Sequence, residues 1–170
     1  MTARPFRLPA LCLLLFVSGF SALIYQTLWL RSLGLVFGVT VYAASTVLAA
    51  FMAGLAAGSL LSGRAADRLR HPIRWLGAAE LLIAVSALST PLLLDALNAL
   101  YRHSYGAVSG SFALLTVLRF AGAFAVLLVP TTLMGATMPL ALSGTRAGHG
   151  QMGAYASVLY AANKIGRAHV

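Results

Sequence analysis

The stretch "SGRAADRLRHPIRW", residues 62–75, decides how the rest of the chain is read. Five charged residues (Arg64, Asp67, Arg68, Arg70, Arg74) fall within eleven positions here, with His71 among them, whereas all 170 residues hold only 12 Lys+Arg and 3 Asp+Glu. On either side run long apolar segments. Sixty per cent of the residues are hydrophobic, 9% are charged and the mean hydropathy is +0.88, against about 25% charged residues in soluble domains. Such a chain is an integral membrane protein, and the charged stretch is a link between two membrane spans.

Working outward from that link gives four spans and the start of a fifth. They run from about 8–30, 36–62, 75–97 and 112–142, with a truncated fifth over 153–163. Each complete one exceeds the roughly 18 apolar residues that mark a spanning helix, and glycine, arginine or polar runs separate them. No strand-like alternation appears, so the fold class is an all-α transmembrane helix bundle. Residues 1–7 form a cytoplasmic N-terminus. Arg4 and Arg7 followed by "LPALCLLLFVSGFSA" also fit a signal peptide, but the apolar run continues through "LIYQTLWL" to Leu30, which favours a retained span. Cys12 comes too early for a lipoprotein cysteine, and as the one cysteine it excludes an internal disulfide or a thiolate metal site.

Orientation follows from the arginines. With the N-terminus inside, Arg4, Arg7, Arg64, Arg68, Arg70, Arg74 and Arg146 are cytoplasmic, and only Arg31 and Arg102 are outside, a positive-inside bias. The net charge of +9 therefore reflects topology, and nucleic acid is not an expected partner. "NALYRHSYGAVSGS" (98–111) is expected to be an outside loop, and the lipid bilayer is the first partner.

Within the spans, Ala50, Gly54, Gly58 and Ser62 recur every four residues and place a strip of small side chains on one helix face, the pattern of close helix packing. A substrate path along the same strip is the sharper alternative. Pro130 and Pro139, with Thr131, Thr132 and Gly135 between them, predict a bend in the fourth span, because proline removes a backbone hydrogen bond and threonine hydroxyls can re-satisfy carbonyls.

Ionisable groups at membrane depth cost roughly 2.5–3.5 kcal/mol at a helix centre and need a reason to be there. Glu80 either faces a polar cavity or takes part in proton coupling, or it reaches the interface or pairs with an arginine of the 62–75 link, and the structural role is the favoured reading. Asp95 and Arg119 are expected to form an ion pair across antiparallel spans. Gln26 is read as a helix-to-helix hydrogen bond, with Tyr25 and Trp29 in an interfacial aromatic belt. The histidines are scattered on both sides, no Gly-rich phosphate cradle follows a strand, and three carboxylates do not make an acid/base pair. No catalytic, cofactor-binding or metal-binding residues are assigned, and no cofactor is expected in these residues.

The link reads Gly63-x-x-x-Asp67-Arg68-x-Arg70, which resembles the cytoplasmic loop signature of major facilitator transporters, with Leu69 where that family has glycine. The resemblance implies a facilitator-like bundle in which the aspartate and arginines form a charge network with helix ends. A closer resemblance rests on "SGFSALIYQTLWLRSLGLVFGVTVYAASTVLAAFMAGLAAGSLLSGRAADR", "LLLDALNALY", "SFALLTVLRFAGAFAVLLVPTTLMGATMPLAL" and "GAYASVLYAAN", covering about residues 18–163. These stretches look like the membrane region of bacterial fused transporter/spermidine-synthase proteins of the inner membrane.

That likeness implies an N-terminal membrane portion joined to further helices and a cytosolic aminopropyltransferase-like domain, which would carry the residues that bind decarboxylated S-adenosylmethionine and polyamine. It implies anchoring of that domain and handling of a polyamine or other small cation, with the substrate left unknown. A fragment of a plain facilitator transporter and a non-catalytic membrane scaffold remain the alternatives. After "LYAAN" the sequence departs from the family. "IGRAHV" matches one frame of a common sequencing adapter, so residues 164–170 are read as an artefactual tail.

Overall fold

The computed structural model describes residues 8–38, 40–66, 68–108, 112–145 and 150–167. Five helices account for them: α1 (Leu8–Phe37), α2 (Thr40–Ala66), α3 (Pro72–Val108), α4 (Phe112–Gly144) and α5 (Met152–Arg167). No strand occurs among the described residues. The first four are each long and apolar enough to cross a membrane. A helix satisfies its own backbone hydrogen bonds, which an apolar solvent demands.

The helices are longer than their apolar runs. Helix α1 continues past Leu30 through an exposed Arg31 to Phe37. It then stops at Gly38, whose φ of 68° and amide bond to the Gly34 carbonyl (2.9 Å) are those of a left-handed cap. Residues 38–39 are all that separates α1 from α2, so the link drawn at 31–35 is corrected. Helix α3 shows the larger departure. The expected outside loop begins at residue 98, but residues 98–108 are helical. At 37 residues, α3 is about 55 Å long, well beyond a hydrocarbon core of about 30 Å. Hydropathy marks only the part of a helix that sits in lipid.

At the charged link, Arg68 and Leu69 bond back to Ala65 and Ala66, and Pro72 opens α3 at the first helical position, where its missing N–H costs nothing. Helix α4 runs unbroken through Pro130 and Pro139, as α3 does through Pro91. Thr131 and Thr132 donate to the carbonyls of Leu127 and Leu128, one turn back, rather than to Val126, whose partner Pro130 removes. Helix α5 does not stop at residue 163 but continues through Lys164 to Arg167.

Two apolar clusters form the interior. One contains Trp29, Leu33, Val47, Phe51, Ile83, Leu94 and Leu127. The other, nearer the charged link, contains Leu11, Leu15, Leu76, Leu140 and Leu159. Trp29 is 2% exposed and stacks on Tyr25 and against Phe51, so it belongs to the core and not to an aromatic belt. Cys12 packs half-buried beside the second cluster. Outside, Leu81, Val85, Leu88 and Leu92 recur on one face of α3 at 62% to 73% exposure. A continuous apolar face of this kind fits lipid better than water.

The main contact is between α2 and α4, which run parallel: Gly54 meets Thr131, Leu55 meets Gly135, and Gly58 meets Thr132 and Ala136. Helix α3 lies antiparallel to α4, with Leu97 against Gly122 and Ile73 against Gly144. Helix α5 crosses α1 where Asn163 lies on Gly19 and Gly166 on Phe16.

Candidate functional site

The strip of small residues faces α4. Ala50, Gly54, Gly58 and Ser62 are all buried, and a methyl group added at Gly54 or Gly58 would collide with the Thr131 side chain or the Thr132 carbonyl. The Thr131 hydroxyl also donates across to the Ala50 carbonyl at 3.1 Å. This face leaves no room for a solute. A path along it is not what the geometry provides, and any site must be sought elsewhere.

A cavity of about 420 Å³ opens between α1, α2, α4 and α5. Helix α1 gives it Ser18 and Ala22, α2 gives Leu55 and Ser59, α4 gives Met134, Gly135, Thr137 and Met138, and α5 gives Tyr160, Asn163 and Lys164. Spacings of three and four residues put each set on one helix face. The cavity lies at the junction of the two clusters: Ala22 and Met134 belong to the first, and Met138 packs on the second.

Glu80 occupies the same level on α3, between Ala79 of the second cluster and Ile83 of the first. It is not on the cavity wall, and its Oε1 is buried without a hydrogen-bond partner. No described arginine of the 62–75 link forms an ion pair with it. The Asn163 amide donates to the Leu15 carbonyl at 3.1 Å, which ties α5 to α1 and leaves the amide oxygen as an acceptor. Thr137 donates to Met134 at 2.8 Å, and Lys164 Nζ stands 5.5 Å from the Tyr160 ring centre.

The remaining expected positions are dispersed. Gln26 is half-buried on α1. Asp95 is exposed on α3, Arg119 is half-buried on α4, and no ion pair among the described residues joins them. Gly63, Arg68 and Arg70 are exposed at the charged end of the bundle. Asp67, the residue between them in the loop signature, lies outside the described residues, as do residues 1–7, Arg146 and the last three of the tail. Among the described residues no three His, Cys, Asp or Glu side chains converge, and the cavity wall offers hydroxyls, an amide and the Lys164 ammonium.

Sequence reasoning marked Glu80 but missed Ser18, Ser59, Thr137, Tyr160 and Asn163. Each is an isolated polar residue in an apolar helix, and only the packing of five helices puts them at one depth. Ser18 and Ala22 do carry a weak signal, two small residues four positions apart on a helix otherwise rich in large apolar ones. Neither a family model, nor a curated protein, nor a solved structure matches the chain.

Proposed function

We propose that this chain is the N-terminal membrane portion of a fused transporter-like/spermidine-synthase-like protein. It anchors a cytosolic aminopropyltransferase-like domain and handles a polyamine or another small cation. The bundle is facilitator-like, sits in a bacterial inner membrane and keeps its N-terminus in the cytoplasm, the orientation that the arginine bias favours. The observation that carries the reading is where its two most distinctive stretches lie. "SALIYQTLW" (21–29) is on α1 and "LVPTTLMGATMPL" (128–140) on α4, and they supply Ala22, Met134, Gly135, Thr137 and Met138 to the cavity wall. Residues that mark the resemblance thus border this cavity.

A second reading, a facilitator transporter without an enzyme domain, is favoured by Gly63, Arg68 and Arg70, which stand together at the charged end in the order of that family's loop signature. Extending the gene past codon 163 separates the two. A downstream soluble domain with a strand, a Gly-rich turn and an acidic cofactor-binding residue is the expected outcome. Six or more further apolar spans with no such domain would overturn the fused-protein reading in favour of the second.

A further inference from the structure

We propose that the charged end of α2 holds one anionic phospholipid, with its phosphate against Arg64 and an acyl chain along the exposed face of α2 that leads to it. This goes beyond the proposed function and holds for either of the two readings given there.

The head of the site comes from the charged link. Arg64, Arg68, Arg70 and Arg74 are all exposed, and no ion pair among the described residues engages them. Asp67 is the one acidic side chain in the stretch, so the surplus of positive charge calls for an anion from outside the chain. Beside Arg64 lies a surface depression of about 440 Å³, lined also by Ala56, Ser59, Leu60 and Gly63. At about 30 Å³ per heavy atom, the share of one liquid water, it takes about fifteen, the size of a phosphodiester with the glycerol groups on either side. Gly63 keeps it open, since a Cβ there would meet nothing within 4 Å. The guanidinium fork matches two phosphate oxygens at once, and the exposed Ser59 hydroxyl adds a further donor.

The tail of the site comes from α2 itself. Met52, Ala56 and Leu60 precede Arg64 at intervals of four and share a helix face with it. All three are exposed, Met52 at 61% and Leu60 at 54%. From Met52 to Arg64 the helix rises about 18 Å, against about 15 Å for the hydrocarbon of one leaflet. An acyl chain whose phosphate sits at Arg64 therefore has apolar contact as far as the middle of the bilayer. A soluble phosphate uses the head alone, and a zwitterionic lipid cancels the charge that the head supplies. An anionic lipid uses both parts.

The test is native mass spectrometry of the full chain released from mixed micelles of phosphatidylglycerol and phosphatidylcholine with identical acyl chains. The expected result is retention of one phosphatidylglycerol in preference to phosphatidylcholine. Arg64→Gln is expected to weaken that retention about fivefold, the scale of one arginine at an anionic surface. Arg64→Lys keeps the charge, loses the fork and weakens it less. Arg102→Gln removes the same charge from an exposed position near the far end of α3 and leaves retention unchanged.

Equal retention of the two lipids, or equal losses in Arg64→Gln and Arg102→Gln, would overturn the site, because net charge alone would then account for binding. Glycerol 3-phosphate, a head without tails, is expected not to displace the lipid at equal concentration. Displacement would identify a soluble phosphate as the ligand and refute the lipid. Should Arg64→Gln not fold, the wild-type chain in nanodiscs gives the answer. Phosphatidylglycerol with a diazirine in its acyl chain labels residues 52–60 ahead of the matching phosphatidylcholine if the site is real, and equal labelling refutes it.

Discussion

The α2–α4 seam and the Ser18–Glu80 layer lie on neighbouring faces of the same bundle and are built on opposite terms. At the seam, glycines on both helices let backbones touch, and the Thr131 hydroxyl lies 2.8–3.1 Å from three carbonyls. At the layer, side chains of intermediate size meet around a void, and a carboxylate oxygen is left unpartnered. Helices gain little from hiding apolar surface from lipid, so close packing and interhelical hydrogen bonds must hold them together. The seam supplies both. The layer gives up contact and keeps polarity instead, as binding sites do at a cost in stability.

The sharpest way to break this contrast is at Gly58, where backbone faces backbone. Gly58→Leu must separate α2 from α4, and a loss of about 3 kcal/mol or more is expected, read as a fall in the denaturation midpoint of the purified chain in lipid–detergent mixtures. A variant of wild-type stability would show that the seam is not close-packed. At the layer the sign reverses. Glu80→Gln is expected to raise stability by about 1–2 kcal/mol in the same titration, because it removes an ill-compensated charge. A drop would mean that the carboxylate is better satisfied than its surroundings indicate. The smallest effect belongs to Thr131→Val, which keeps the shape and removes the bond to Ala50. About 0.6 kcal/mol is the average for such bonds between membrane helices, and a loss several times larger would show the seam to be held by polarity rather than by fit.

The same contrast explains what the sequence makes legible. Four spans, and the face of α2 that carries Ala50, Gly54, Gly58 and Ser62, follow from periodicity and composition, because repeated small residues speak for themselves. Their partner on α4 does not, since Thr131, Thr132 and Gly135 read first as a proline-flanked bend. The polar layer was legible only through Glu80, which shares the 75–97 span with one other charged residue, Asp95. Ser18 and Asn163 are separated by 145 positions (163 − 18), and nothing local couples them. The helical extension over 98–108 escaped for another reason. Asn98, Arg102 and His103 end the apolar run, yet the backbone can continue as a helix in water once α3 is nucleated.

The parallel pairing of α2 with α4 also sets an order of assembly. Helix α3 joins the bundle through α4, so neither α2 nor α3 finds its main neighbour until residues 112–144 have been synthesised and inserted. During that interval the glycine face of α2 is exposed to lipid with nothing to grip. A nascent chain stalled before residue 112 would present membrane quality-control proteases with separate, loosely associated spans. One that has passed residue 144 would present a locked three-helix unit, on which α1 and α5 then close the polar layer.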